Sequence, residues 1–125
     1  MKGTIMAVTG PDFISLQVRD IARSAAFYEQ HLGLTRQPGP PHAVVYATTP
    51  IALALREPMP GTDLEAGPVG LGVALWLHAD NAQAIHDALV AASVPITAAP
   101  IDGPFGRTFT FQDPDGYAIT LHSKG

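Results

Sequence analysis

Residues 13–18 alternate along the chain, with Ile14, Leu16 and Val18 on one side and Phe13, Ser15 and Gln17 on the other. Strict alternation of this kind is the mark of a strand with one covered face. Asp20 then stands where a helix cap belongs. Ile21, Ala25, Tyr28 and Leu32 follow at helical spacing, and Gly33 suits a left-handed helix end. After a turn rich in proline and glycine (Pro38 to Pro41) come two short apolar runs, 43–47 and 51–56, joined by Thr48-Thr49-Pro50.

The same order recurs. Gly72–His78 reads as a strand, and Asp80 or Asn81 caps a helix carrying Ala82, Ile85, Leu89 and Ala92 on one face. Ser93-Val94-Pro95 stops it. Short strands are predicted near Ile96–Ala99 and Arg107–Gln112, then an Asp113-Pro114-Asp115-Gly116 turn, then a last strand over Tyr117–His122. Landmarks recur 60 residues apart: Asp20 and Asp80, Gly33 and Ser93, Pro40 and Pro100. The chain therefore reads as a duplicated βαβββ unit in one domain of α+β class, residues 1–125. The first module spans 12–56, a connection and candidate flap 57–70, and the second module 71–122. Two such units give curved mixed sheets with helices outside and a concave groove inside.

Composition narrows the function. Charged residues are only 14%, the net charge is −4, and the two lysines sit at Lys2 and Lys124. Without a basic face, nucleic acid is not an expected partner. There is no cysteine, which excludes thiolate metal sites and cysteine nucleophiles. No stretch reads as a signal peptide or a membrane helix, so a cytoplasmic location with no membrane partner is expected.

The string VRDIARSAAFYEQHLGL (18–34), followed by FQDPDGYAITL (111–121), resembles the vicinal oxygen chelate superfamily. That family holds glyoxalase I, bleomycin-resistance proteins, extradiol dioxygenases, fosfomycin-resistance proteins and methylmalonyl-CoA epimerase. The resemblance runs from about Asp12 to Leu121. It implies the duplicated fold and, in the enzymes, a divalent metal held by two histidines or glutamines and two glutamates. The family pattern puts those ligands at Phe13, at Ala54 (or Ala52), at Ala74 (or Val73) and at Thr120. None of these is a carboxylate or an imidazole, so no metal site and no cofactor are expected. The chain is closest in character to the metal-free, bleomycin-resistance-like binding members.

Alternation then gives the groove lining: Phe13, Ser15 and Gln17; Ala52, Ala54 and Arg56; Ala74, Trp76 and His78; Thr120 and His122. Parallel neighbouring strands should place Thr120 beside Ala74, His122 beside Trp76 and His78, and Arg56 near Ser15 and Gln17. The face shown by Phe109 and Phe111 is open. His31, His42 and His86 read as solvent-facing, and Asp113 and Asp115 as local turn caps. The favoured function is sequestration of a planar, mostly apolar drug or metabolite by a homodimer, without catalysis. Two alternatives remain. One is a lyase, isomerase or dioxygenase with a displaced metal on His78, His122 and a carboxylate such as Asp80 or Glu57. The other is a metal-free enzyme using His78 or His122 as acid or base.

Overall fold

The structure, a computed structural model, describes residues 6–124. The first module runs β1 (Phe13–Gln17), α1 (Ile21–Leu32), β2 (Arg36–Gln37), β3 (Ala43–Tyr46) and β4 (Ala52–Arg56). The second runs β5 (Leu75–His78), α2 (Ala82–Ala91), β6 (Ile96–Gly103), β7 (Gly106–Gln112) and β8 (Ala118–His122). Each module makes a four-stranded mixed sheet, ordered β1-β4-β3-β2 and β5-β8-β7-β6. In each, the first strand lies parallel to the last.

The helix ends follow from local chemistry. The Arg23 N–H donates to Asp20 Oδ1 at 3.1 Å, and the Ala84 N–H to Asn81 Oδ1 at 3.0 Å. A cap of this kind contributes about 1 kcal/mol. Of the two candidate caps for α2, Asn81 is the one used. Gly33 ends α1 at φ 70°, and Ser93 takes the corresponding left-handed conformation after α2 at φ 62°.

Helix-facing residues of both sheets meet in one core. Val18, Tyr28, Tyr46, Leu53 and Leu55 from the first module join Leu89, Phe109, Phe111, Ile119 and Leu121 from the second. Phe109 and Phe111 are both buried on the helix side. Phe27 of α1 reaches across to Phe111 at 6.0 Å between ring centroids, and α1 also touches α2. The helices thus sit at the junction of the two modules, and the faces bearing Phe13 and Trp76 are left uncovered.

Polar contacts lock the junction. Asp113 accepts from the Tyr28 hydroxyl at 2.7 Å, and Asp115 from Ser24 Oγ at 3.1 Å and from Arg19 Nη1 at 2.9 Å. These carboxylates do cap their own turn, since Asp113 Oδ1 accepts from the N–H groups of Asp115 and Tyr117. They also tie one module to the other, which the turn motif does not disclose. Burial pushes the Asp113 carboxyl above its ordinary range, although its hydrogen bonds pull the other way. The connection after β4 is fastened too: Arg19 binds Glu65 and the Leu64 carbonyl, and the Met59 N–H donates to Gln17 Oε1 at 2.7 Å.

Some boundaries shift from expectation. The two-residue β2 has too little apolar pattern to be seen in the sequence. Strand β5 begins at Leu75, not Gly72, because Leu71 to Ala74 form a turn and an exposed approach to the sheet. Strand β6 extends to Gly103 through irregular pairing around Pro100. His86 is largely covered by the Phe109 ring at 5.2 Å, and His31 lies against Phe27 at 5.1 Å. Neither is the plain solvent-facing histidine expected; His42 is exposed.

Candidate functional site

The chemistry gathers on the uncovered face of the second sheet. Leu75 and Leu77 turn toward the core, which aims Trp76 and His78 outward. On β8, Ile119 and Leu121 are buried, so Thr120 and His122 point the same way as Trp76. Register pairs Trp76 with Thr120 and His78 with His122. The His78 and His122 rings stand 5.5 Å apart, and Trp76 lies 6.2 Å from His122.

Phe105 completes the group. It projects from the turn between β6 and β7, 5.4 Å edge-on from Trp76 and 6.1 Å from His122. Lys124 Nζ lies 5.9 Å from the Phe105 ring centroid. Trp76 and Phe105 each remain about half exposed, at 48% and 49%. The result is an aromatic corner with two faces open to a guest. His122 Nδ1 is shielded and has no hydrogen-bond partner among the described residues. Phe105 sits between turn residues in Gly103-Pro104-Phe105-Gly106, and a single ring in a turn has no periodicity to mark it.

The first sheet offers a plainer surface. Phe13 is 54% exposed and Ser15 is exposed. Gln17 pairs with Arg56 in register, as Ser15 does with Ala54. The polar groups are partly engaged: the Gln17 side chain accepts from Met59, and Arg56 Nε donates to the Glu57 carbonyl at 2.9 Å. Ala54 is only 2% exposed, so it contributes almost no contact area. Its small side chain lies between the larger cross-strand neighbours Ser15 and Val45.

Two placements differ from expectation. Ala74 lies before β5 in an exposed segment and does not join the aromatic corner. Thr120 pairs with Trp76, not Ala74, whereas His122 lies beside both His78 and Trp76 as expected. The first follows from the late start of β5, and the second from its register with β8.

The donor set does not fit the metal of the related enzymes. The family-pattern positions are Phe13, Ala54, Ala74 and Thr120, and Ser15 and Trp76 are the parallel-strand neighbours of Ala54 and Thr120. The Thr120 hydroxyl already shares a 2.7 Å hydrogen bond with Thr110 Oγ1. Phenylalanine, alanine and tryptophan side chains bring no ligand atom, and neutral hydroxyls alone are weak ligands. The displaced alternative needs a carboxylate beside His78 and His122; no three His, Cys, Asp or Glu side chains gather among the described residues.

One depression borders this face at His78, and another of about 270 Å³ runs between β1 and β5 past Ser15, Gln17, Val73 and Ala118. A wide one of about 810 Å³ follows the outer side of α1, but its charged rim is already paired, Arg36 with Glu29 at 2.7 Å and Arg19 with Asp115. Its Glu29 carboxyl is held below the usual range by Arg36 and then by the Tyr46 hydroxyl.

The profile of the Glyoxalase/Bleomycin resistance protein/Dioxygenase superfamily matches residues 10–121. The chain belongs to this superfamily. Among solved structures, it is similar to TnmS3, an antibiotic binding protein from Streptomyces sp. CB03234: 26% identity, TM-score 0.70, over 97% of this chain and all of that one. It is also similar to integron cassette protein VCH_CASS1 from the mobile metagenome of V. Cholerae, with 25% identity and TM-score 0.66 over 94% of this chain and 97% of that one. A lactoylglutathione lyase from Agrobacterium tumefaciens shares the superfamily fold at 17% identity and TM-score 0.66, over 94% and 95% of the two chains. No curated protein matches the chain. Among the described residues, no helix is long and apolar enough to cross a membrane.

Proposed function

We propose that this superfamily member is a cytoplasmic homodimer that binds a planar, mostly apolar small molecule without the superfamily's metal. The observation that carries this reading is the aromatic corner of Trp76, Phe105, His78 and His122 on an otherwise uncovered sheet. An apolar concave surface with a few polar groups at its edge suits a small aromatic guest. The likeness to an antibiotic binding protein over the whole chain agrees with it. In this reading the ring stacks on Trp76, and His78 and His122 orient it by hydrogen bonds at one end. Phe13 forms the facing wall. Because α1 meets α2 inside one chain, the Phe13 face of one copy would close over the Trp76 face of another.

The test is optical. The chain has one tryptophan, so its emission reports only this corner. Titration with acridine, anthraquinone and flavone should quench Trp76 emission saturably for at least one ring system. The reading fails if none of these planar probes alters the emission or binds by calorimetry.

A further inference from the structure

The duplication creates two equivalent seams between the modules, and only one of them is filled. At the first, the turn Asp113–Gly116 between β7 and β8 seats against the start of α1. Its carboxylates are received there by Arg19, Ser24 and Tyr28. At the second, the turn between β3 and β4 faces the start of α2. Aligning the helix caps Asp20 and Asn81 sets Arg19, Ser24 and Tyr28 against Asp80, Ile85 and Leu89. Every receiving group has become apolar or acidic.

The opposing turn has changed with it. Ala47-Thr48-Thr49-Pro50 has no carboxylate, and the Thr48 hydroxyl donates back to its own turn, to the Ile51 carbonyl at 2.5 Å. Among the described residues no side-chain hydrogen bond crosses from this turn to α2, and a cleft of about 530 Å³ remains. Its walls are mainly apolar, from Leu32, Leu34, Leu77, Ile85 and Leu121. Thr49 and Asp80 are exposed on its edge. The volume falls in the range of roughly 300–1,000 Å³ typical of small-molecule sites.

We infer that this second seam is a binding site for a small apolar ring carrying a hydrogen-bond donor, adjoining the aromatic corner only at His78. The volume admits a ring, and the leucine and isoleucine walls favour an apolar one. Polarity at the edge decides the rest. Asp80 is the one carboxylate among the lining residues, and no lysine or arginine lines the cleft. A hydroxyl or amine on the guest finds acceptors in Asp80 and Thr49. A carboxylate would meet Asp80 with no lysine or arginine beside it, leaving only His78 and the start of α2 to offset the repulsion.

The full chain labelled with ¹⁵N is titrated with p-cresol, and in parallel with p-toluate, which has the same ring and an anionic group. Dose-dependent amide shifts are expected for p-cresol at Thr48, Thr49, Leu77, Asn81 and Ile85, with p-toluate at least tenfold weaker. The Trp76 indole resonance serves as the internal reporter of the other face and should stay in place. Ala84→Phe places a ring in the cleft from an exposed helical position and should abolish the p-cresol shifts. Ala47→Phe does so from the opposite wall should the first variant fail to fold. No saturable shifts up to millimolar p-cresol would overturn the inference. So would shifts confined to Trp76 and its neighbours, equal binding of p-toluate, or unchanged binding in a folded blocking variant. Binding at the aromatic corner is read separately through Trp76, so failure at either site leaves the other judged by its own signal.

Discussion

At the scale of single residues, the aromatic corner and the buried carboxylates make opposite predictions. Trp76 is half exposed and contributes little to the core, so Trp76→Ala should leave thermal stability nearly unchanged. A stacked ring contributes on the order of 1 kcal/mol, so the same variant should weaken a planar ligand about fivefold or more by calorimetry. Tyr28 is the reverse case. Tyr28→Phe keeps the packing but strips Asp113 of the hydroxyl donor at 2.7 Å, leaving a buried carboxylate oxygen bare. The expected loss is about 1.5–3 kcal/mol in urea unfolding at neutral pH. Its pH dependence has a definite sign. Burial raises the folded-state pKa of Asp113 above its unfolded value, so the folded protein takes up this proton first as pH falls. The neutral acid is less costly to bury, so Asp113's contribution to stability improves as pH falls through its raised folded pKa. The deficit of Tyr28→Phe should therefore narrow in the same window. A deficit that is constant from neutral pH down past that pKa would contradict the assignment of the charge to Asp113.

At the scale of elements, the helices and most strands were legible because their patterns are local. The alternation of Phe13 to Val18 and the spacing of Ile21, Ala25, Tyr28 and Leu32 depend on which face is covered, and burial follows them. The constant offset between the modules fixed the duplication. What stayed hidden was the start of β5, which depends on pairing with β8 and not on hydropathy: Val73 is apolar yet exposed. The late start leaves Ala74 outside the candidate site, and the register with β8 sets Thr120 beside Trp76. Phe105 was hidden for a related reason, since a turn residue is placed by the strands it joins. The helix ends offer a paired test. Gly33 and Ser93 hold nearly the same left-handed conformation, and only glycine adopts it without steric cost. Gly33→Ala should destabilise by about 1 kcal/mol, and Ser93→Gly should raise stability by up to about 1 kcal/mol. Urea unfolding of both variants checks this. Loss of stability in Ser93→Gly would mean that its side chain makes a contact outweighing the backbone strain.

At the scale of the whole molecule, the two modules meet through their helices and turn the sheet faces bearing Phe13 and Trp76 outward. Phe13 and Trp76 both remain about half exposed, on different sheets of one chain. Leu71, Val73 and Phe105 add apolar surface near the second sheet. A two-fold dimer would use each surface twice and form two equivalent grooves, each with Phe13 from one copy and Trp76 from the other. This arrangement predicts complementation. Phe13→Ala and Trp76→Ala homodimers should each bind a planar probe poorly, because each damages both of its grooves. Refolding the two variants together in equal amounts makes about half of the dimers mixed. In a mixed dimer, one groove has lost both walls and the other has kept both. Binding with wild-type affinity should therefore return at about a quarter of the wild-type site number, measured by calorimetry. A groove built within one chain allows no such recovery, because every chain in the mixture carries one damaged wall. Recovery at that stoichiometry supports the shared groove, and its absence in co-refolded, folded dimers would rule out a groove with Phe13 from one copy and Trp76 from the other.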